Sequence, residues 1–290
     1  MGTPEFAVES LKSLVEGGYN VVAVVTQPDK PVGRHQDTLQ PSPVKQYALS
    51  KGLPVLQPVK MKDPEFVEQL RSYQAYLQVV VAFRMLPEVV WDMPRFGTFN
   101  VHAALLPQYR GAAPINWAVI NGETETGVTT FFLDHDIDTG RIIMQKRFPI
   151  PESADVEYVY DGLMHLGADL ALETIDALIA AGGNIESMPQ EKLIGEGVEL
   201  KSAPKIFKET CRIDFHKPAK QVYDFVRGLS PYPGSWTEIK KKAPVVIFED
   251  ADGEMPEVTA HPAQQKSAAK IQVLKIFKTS LTEFSRGVAP

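Results

Sequence analysis

Asn100 and His102 are the residues whose types and spacing first suggest chemistry. They stand two positions apart in a short alternating segment, residues 98–102, in which Phe99 and Val101 point to the other side. In a strand, this spacing places an amide and an imidazole on one face. An imidazole can transfer protons near neutral pH, and an amide beside it can donate a hydrogen bond to a reacting oxygen.

A carboxylate that could assist the histidine follows a later predicted strand. Residues 127–133 form this strand, and Asp138 lies in the acidic turn after it, which spans residues 134–140. An Asp at a neighbouring strand end could orient His102 and hold its proton, as in acyl transfer. Taken singly, each feature has an ordinary explanation, because histidines at strand ends are commonly structural and Asp-Thr-Gly is a common turn. We interpret the nearby His135 as a surface turn residue.

Strands and helices alternate through the first part of the chain. Strands are predicted at residues 20–26, 53–56, 78–83 and 98–102, with helices at 5–16, 44–50 and 63–73. This alternation predicts an α/β fold with a doubly wound, mainly parallel sheet. Ligand sites in such sheets lie at the carboxyl ends of strands, which is where residues 98–114 change from strand to loop.

Three regions follow from the patterns further along the chain. A long helix over 155–181 ends at Gly182-Gly183, which closes a domain of residues 1–184. Residues 185–205 are polar and irregular and predict a linker. Residues 206–290 contain further short strand patterns and predict a smaller second domain.

Several motifs resemble those of the 10-formyltetrahydrofolate-dependent formyltransferases. They are Asn100-Val-His102, Leu105-Leu-Pro107, Tyr109-Arg-Gly-Ala-Ala-Pro114 and Asp138-Thr-Gly140. Within that family the chain most resembles the methionyl-tRNA formyltransferases, and the similarity extends to at least residues 230–236. The resemblance implies transfer of the formyl group of 10-formyltetrahydrofolate to the amino group of methionyl initiator tRNA, for translation initiation.

The resemblance also implies roles for individual residues. Asn100 would donate to the oxyanion formed when the amine attacks the formyl carbon, His102 would donate or relay a proton, and Asp138 would orient the imidazole and favour its charged form. A loop beginning at residue 83 resembles the family's folate-binding loop. The complete set of folate-binding candidates is Phe83, Arg84, Met85, Leu86, Ala104, Leu105, Leu106 and Pro107.

Charge is distributed unevenly along the chain. The net charge is −6, yet residues 201–290 hold 15 Lys or Arg against 10 Asp or Glu. A basic region on an acidic body is what a localised nucleic-acid contact would produce, although a solvated surface explains the imbalance equally well. Lys240, Lys241 and Lys242 are candidate tRNA phosphate contacts. The resemblance adds Arg34, in a loop that in the family approaches the tRNA acceptor end.

The resemblance implies two features that the sequence lacks in part. In the family an apolar strand precedes the position of Gly2, and we therefore expect the physical protein to be longer at this end. The second domain is expected to be a small β-barrel similar to an oligonucleotide-binding fold. The strand patterns of residues 206–290 are too few to close such a barrel, so we expect it to be incomplete.

Composition and motifs argue against several other classes of protein. The single cysteine, Cys211, excludes an intrachain disulfide and fits a cytoplasmic protein. No apolar run approaches the roughly 20 residues that span a bilayer, and residues 1–15 do not resemble a signal peptide. No zinc spacing, P-loop or Gly-x-Gly-x-x-Gly pattern is found, so no metal is required. We expect a monomer, although the sequence carries no visible signal of oligomeric state.

Related acceptors remain as alternatives. The same core chemistry occurs in glycinamide ribonucleotide formyltransferases, in sugar-nucleotide formyltransferases and in the hydrolase domain of formyltetrahydrofolate dehydrogenase. Residues 112–117, the 231–236 turn and a basic second domain favour the tRNA enzyme. A non-enzymatic folate- or RNA-binding module would not need Asn100, His102 and Asp138 together.

Overall fold

Helices and strands alternate through most of the chain in the computed structural model, which describes residues 1–32, 38–195, 197–240 and 271–280. The helices of this part are α1 (Glu5–Glu16), α2 (Pro43–Ser50), α3 (Pro64–Ser72), α4 (Glu88–Trp91), α5 (Pro114–Ile120), α6 (Val156–Ala180) and α7 (Ala219–Arg227). The strands are β1 (Val24–Val25), β2 (Lys30–Val32), β3 (Thr38–Gln40), β4 (Val55–Leu56), β5 (Gln78–Val81), β6 (Thr98–His102), β7 (Arg110–Gly111), β8 (Glu125–Phe132), β9 (Ile142–Pro149), β10 (Ser202–Ala203), β11 (Ser235–Lys240) and β12 (Ile271–Ile276).

The central sheet is mixed, which corrects the prediction of a mainly parallel one. Its four strands lie in the order β5-β6-β8-β9, and only β5 and β6 are parallel. The connection from β6 to β8 starts directly after His102. It finishes at the same end of the sheet, since Thr129 of β8 pairs with His102. A connection that stays at one end of a sheet must return the chain antiparallel, and β9 then follows β8 as a hairpin.

Met1 and Gly2 join the central sheet to a separate parallel pair, β1 and β4. The amide of Gly2 donates to the Val25 carbonyl at 3.0 Å, and the amide of Val81 donates to the Met1 carbonyl at 2.9 Å. Two residues thus occupy the position of a strand between β1 and β5. The strand predicted over residues 20–26 is correspondingly reduced to β1.

A cavity of about 550 Å³ lies beside β1. Its walls are largely apolar and include residues 21–23 on one side and Leu77 and Val79 on the other, below Leu11 and Leu14 of α1. Residues 21–23 face this space instead of a neighbouring strand, and no sheet structure is assigned to them. Of the strand predicted over residues 20–26, only Val24 and Val25 pair with a neighbouring strand, β4.

The main core lies between the central sheet and helices α1 and α6, which run in the same direction, since Phe6 contacts Tyr160 and Glu9 contacts His165. Phe99 and Val101 of β6, Val128 of β8 and Leu163 and Leu170 of α6 are buried in it. The apolar spacing predicted α6, and the helix forms as predicted. Its start is fixed by a side-chain cap, since the Asp155 carboxylate accepts from the amide of Tyr158 at 3.0 Å.

The described C-terminal part consists of α7 and one antiparallel pair, β11 with β12. Helix α7 packs against α5, and the buried Arg227 of α7 donates to the Ala154 carbonyl at 2.8 Å. No closed barrel is formed by the described residues of this part. One of the short strand patterns predicted within residues 206–290, at residues 245–248, lies outside the described residues.

Removing the Phe99 side chain is expected to lower the free energy of unfolding by about 3–5 kcal/mol. Phe99 is fully buried, at 0% exposure, so Phe99→Ala leaves a cavity in the centre of the sheet. Phe215→Ala removes the same atoms from a side chain that is 61% exposed and is expected to change the value by less than about 0.5 kcal/mol. Urea unfolding of both variants measures the difference, and equal losses would contradict the assigned core.

Candidate active site

His102 ends β6 and is held by one backbone carbonyl. Its ring is buried, at 6% exposure, and Nε2 lies 2.9 Å from the carbonyl oxygen of Tyr109. A carbonyl can only accept, so Nε2 carries the hydrogen and donates it. In the neutral ring Nδ1 is therefore the unprotonated nitrogen, free to take a proton.

Tyr109 presents that carbonyl because its backbone is left-handed, with φ of 60°. Its amide donates to the Lys201 carbonyl at 2.6 Å, and its hydroxyl donates to Glu123 at 2.5 Å. Burial, together with the hydrogen bond to Glu123, raises the pKa of the Tyr109 hydroxyl well above its ordinary value. The Tyr109 hydroxyl thus stays neutral and donates a hydrogen bond. The residue is held both at its backbone amide and at its hydroxyl.

Asp138 faces the other nitrogen of His102. Its Oδ2 is 3.9 Å from Nδ1, which is close enough for an ion pair but too long for a hydrogen bond. The same oxygen accepts from the amide of Gly111 at 2.9 Å. The sequence predicted that Asp138 orients the imidazole; in the structure Tyr109 makes a hydrogen bond to the ring, and Asp138 lies beside the other ring nitrogen.

The loop between β8 and β9 brings Asp138 to this position. Because β8 is antiparallel to β6, its last residue, Phe132, pairs with Phe99, three residues or about 10 Å from His102. The loop must fold back along the sheet to reach the histidine. Gly140 makes this possible, since a Cβ there would lie 1.6 Å from the Phe132 carbonyl oxygen. His102 and Asp138 therefore lie close together because the loop folds back. They are not brought together by adjacent strand ends.

Asn100 lies two residues before His102 in β6 and so shares its face of the strand. Its side chain is half-buried, and its Oδ1 is buried without a hydrogen-bond partner among the described residues. Buried amide oxygens are normally paired, so an unpaired one beside a histidine and a carboxylate fits a site that receives a polar ligand.

Residues 201–203, inside the predicted linker, complete one wall of the site. Strand β10 pairs in parallel with β7, which places Ala203 against Gly111. A Cβ on Gly111 would lie 2.5 Å from the Ala203 carbonyl oxygen, and its φ of 126° also favours glycine. The position of the Gly111 amide, which donates to Asp138, therefore depends on a contact with a residue some 90 positions later in the chain.

The folate-binding candidates 83–86 form an anchored loop. Phe83 and Leu86 pack against an apolar cluster that includes Val25 and Phe66. The Arg84 guanidinium donates to the Val59 carbonyl at 2.9 Å and also to that of Pro58. Met85 is 69% exposed and is the member of this loop most available to a ligand.

The other folate-binding candidates, residues 104–107, are tied to β8 and β9. Thr129 donates to the Ala104 carbonyl at 2.6 Å and accepts from the amide of Leu106 at 3.1 Å. Gln145 donates to the Leu106 carbonyl at 2.8 Å. The side chains of Ala104, Leu106 and Pro107 are buried, and Leu105 is half-buried. Folate binding by either segment stays a prediction.

The tRNA-binding candidates are largely outside the described residues. Arg34, Lys241 and Lys242 fall there, and Lys240 is the last residue of β11. Within the described ranges, no three His, Cys, Asp or Glu side chains are grouped so that they could hold a metal ion. No helix in the same ranges is both long and apolar enough to cross a membrane.

Backbone groups are what the sequence analysis missed at this site. The Tyr109 carbonyl and the Gly111 amide hold His102 and Asp138, and residue types alone do not reveal which peptide groups a buried side chain will meet. The run of residues 109–111 does contain a glycine, but the left-handed conformation of Tyr109 has no comparable sequence signal.

Two domain families match this chain. Residues 1–175 match "Formyl transferase", and residues 205–281 match "Formyl transferase, C-terminal domain". The chain is 67% identical over 239 residues to the methionyl-tRNA formyltransferase of Parabacteroides distasonis, covering 82% of this chain and 73% of that protein. It is 51% identical over 241 residues to the enzyme of the same name from Porphyromonas gingivalis, covering 83% and 73%.

Solved structures show the same fold at low sequence identity. A sugar N-formyltransferase from a Shewanella species matches with a TM-score of 0.59 and 18% identity, covering 80% of this chain and 88% of that one. A 4-N formyltransferase from Francisella tularensis matches with a TM-score of 0.59 and 19% identity, covering 80% and 87%. With a family match over more than half of its length, this chain belongs to the formyl transferase family.

Proposed function

We propose that this protein transfers the formyl group of 10-formyltetrahydrofolate to the free amino group of methionyl initiator tRNA. The product, N-formylmethionyl-tRNA, serves translation initiation. The observation that carries the chemistry is the convergence of Asn100, His102 and Asp138 on one end of β6. The tRNA acceptor is supported by relatives of 51–69% identity that are named methionyl-tRNA formyltransferases.

His102 is suited to move a proton through Nδ1. Nε2 is occupied by the Tyr109 carbonyl, so the reactive nitrogen is the one that faces Asp138. Nδ1 would take a proton from the attacking amine and return it to the leaving nitrogen. The Asp138 carboxylate, 3.9 Å away, would stabilise the imidazolium present between these two transfers.

Asn100 is suited to hold both reacting groups. Its amide nitrogen would donate to the formyl oxygen as negative charge develops there, an interaction worth roughly 3 kcal/mol of transition-state stabilisation. Its unpaired oxygen would accept a hydrogen bond from the incoming amine. Both uses place the amine and the carbonyl next to each other, which is the geometric requirement of acyl transfer.

The formyl donor supplies the reactive carbonyl when it is bound. The loop of residues 83–86 and the segment of residues 104–107 would hold it, with the exposed Met85 offering apolar contact and the anchored Arg84 keeping the loop in place. The orphaned oxygen of Asn100 is consistent with a polar ligand next to these residues.

The C-terminal domain would supply the tRNA contact. We propose that residues 206–290 belong to a β-barrel similar to an oligonucleotide-binding fold, of which β11 and β12 form one pair. Lys240, Lys241, Lys242 and Arg34 would contact phosphates. A cytoplasmic location and a monomeric state remain predictions from the sequence.

Replacing His102 is expected to abolish most formyl transfer. His102→Ala removes the group that carries the proton, so kcat for formylation of methionyl initiator tRNA should fall by about 10²- to 10⁴-fold. The matched control is His135→Ala, because His135 is exposed and belongs to the surface of the acidic turn. The measurement is the yield of formylmethionyl-tRNA with 10-formyltetrahydrofolate as donor.

Glycinamide ribonucleotide and a sugar nucleotide serve as parallel acceptors in the same assay. Transfer to one of these and not to the tRNA would overturn the acceptor while leaving the site chemistry in place. Equal activity of wild type and His102→Ala would overturn the site. Folate binding without any transfer would indicate a binding module.

Replacing the three lysines at residues 240–242 by alanine is expected to lower the affinity for tRNA and to make that affinity less dependent on salt concentration. Each phosphate contact contributes about 0.7–0.9 to the slope of log affinity against log salt, so the slope should fall by about 2 to 3. The matched control replaces Lys51, Lys60 and Lys62, which are exposed in the N-terminal part. Equal slopes for the two triple variants would contradict this location of the tRNA contact.

A further inference from the structure

Gln190 is a fully buried amide in the segment predicted as a linker. It begins a 3-10 helix, Gln190–Leu193, and its exposure is 0%. Its Nε2 donates to the carbonyl oxygens of Asp138 and Gly140, both at 2.8 Å. Its Oε1 accepts from Nε of Arg110 at 3.0 Å and from Nη2 at 2.7 Å. Every donor and acceptor of this amide is therefore used.

The backbone before Gln190 is fixed independently of these contacts. The amide of Ile142 donates to the Met188 carbonyl at 2.8 Å, and the amide of Met188 donates to the Ile142 carbonyl at 2.7 Å. This reciprocal pair ties the segment to the start of β9. Gln190 thus extends from an anchored point toward the loop that carries Asp138.

The contacts of Gln190 hold an uncommon backbone in place. Asp138 has φ of 56°, a left-handed conformation that non-glycine residues adopt rarely, at a cost of order 1 kcal/mol. Its own carbonyl and that of Gly140, on either side of Thr139, both point at the Gln190 amide. The loop is therefore clamped directly behind the catalytic carboxylate.

The other end of the same amide reaches the second support of Asp138. Arg110 precedes Gly111, whose amide donates to the Asp138 carboxylate at 2.9 Å. One side chain thus joins the backbone that carries Asp138 to the backbone that binds its oxygen. Only an amide fits both ends, because Glu would place an oxygen against two carbonyl oxygens, and Met would leave those carbonyls and the guanidinium without partners.

We propose that Gln190 is a positioning residue that sets the Asp138 carboxylate relative to His102, an inference that rests on the proposed transfer reaction. Gln190 acts through Asp138 and touches neither substrate. The segment between the two domains is in this respect part of the catalytic machinery. The physical reason is that a surface loop with a left-handed residue needs a hydrogen-bond donor from another segment to stay in one conformation.

The test compares Gln190→Met and Gln190→Glu with wild type in formyl transfer to methionyl initiator tRNA. We expect kcat to fall by about 10²-fold, as for a misplaced catalytic group, while KM for the tRNA changes little. In an Asp138→Ala background, Gln190→Met should change kcat by less than about 2-fold, since residues that act as a unit are not additive.

Gln78→Met is the matched control. Gln78 is also buried and accepts from the Thr98 hydroxyl at 3.1 Å, but it lies at the start of β5, at the other end of the sheet from His102. This variant should retain kcat. If Gln190→Met does not fold, Gln190→Glu replaces it in every comparison, because it keeps the acceptor for Arg110.

A second measurement is independent of activity. The Gly111 amide donates to Asp138, so its hydrogen exchange should speed up in Gln190→Met, and it should also speed up in Asp138→Ala. Unchanged kcat or unchanged Gly111 exchange in Gln190→Met would overturn the positioning role, and so would a further large loss of kcat on top of Asp138→Ala. Absence of transfer by wild type would overturn the proposed function instead, while the exchange result would still decide whether Gln190 places Asp138.

Discussion

The hydrogen bond from His102 Nε2 to the Tyr109 carbonyl is the interaction on which the site depends. It occupies Nε2, so Nδ1 is the ring nitrogen left without this partner, and Nδ1 lies 3.9 Å from the Asp138 carboxylate. A buried imidazole without this partner would lose both its tautomer and its direction. The left-handed backbone of Tyr109 makes this bond possible, and the buried hydroxyl and amide of the same residue stabilise it in that conformation.

The segments that support the site come from distant parts of the chain. Residues 109–111 bind both the histidine and the carboxylate, and residues 201–203 pack against them from the far side. Gln190 ties the β8–β9 loop to this arrangement. A region between two domains is usually a spacer. Here the side chain of Gln190 and the strand pairing of residues 202–203 form a wall of the candidate site. The region therefore belongs to the same contact network as the site.

The scaffold below this network is uneven in its packing. The four-stranded sheet with α1 and α6 supplies a continuous apolar core in which Phe99 is fully buried, and Phe131 is buried in a separate cluster with Leu106 and Ile142. Beyond β5, however, the two residues Met1 and Gly2 form the connection to β1, and a cavity of about 550 Å³ lies beside them. The carboxyl end of β6 lies away from this cavity, because Asn100 and His102 pair with β8 and none of residues 98–102 lines it.

Most helices and strands could be predicted from the sequence, and so could the candidate side chains of the site. Period-2 and period-3.6 patterns predicted β6, β8 and α6, since burial of one face follows from side-chain spacing. Residue types and motif order made Asn100, His102 and Asp138 the candidates for the reaction, and their roles stay a prediction. Three features could not be predicted in this way: the sheet is mixed, a folded-back loop carries Asp138 to His102, and Tyr109 and Gln190 hold these two residues. These depend on which peptide groups and distant segments meet, and no local pattern encodes that.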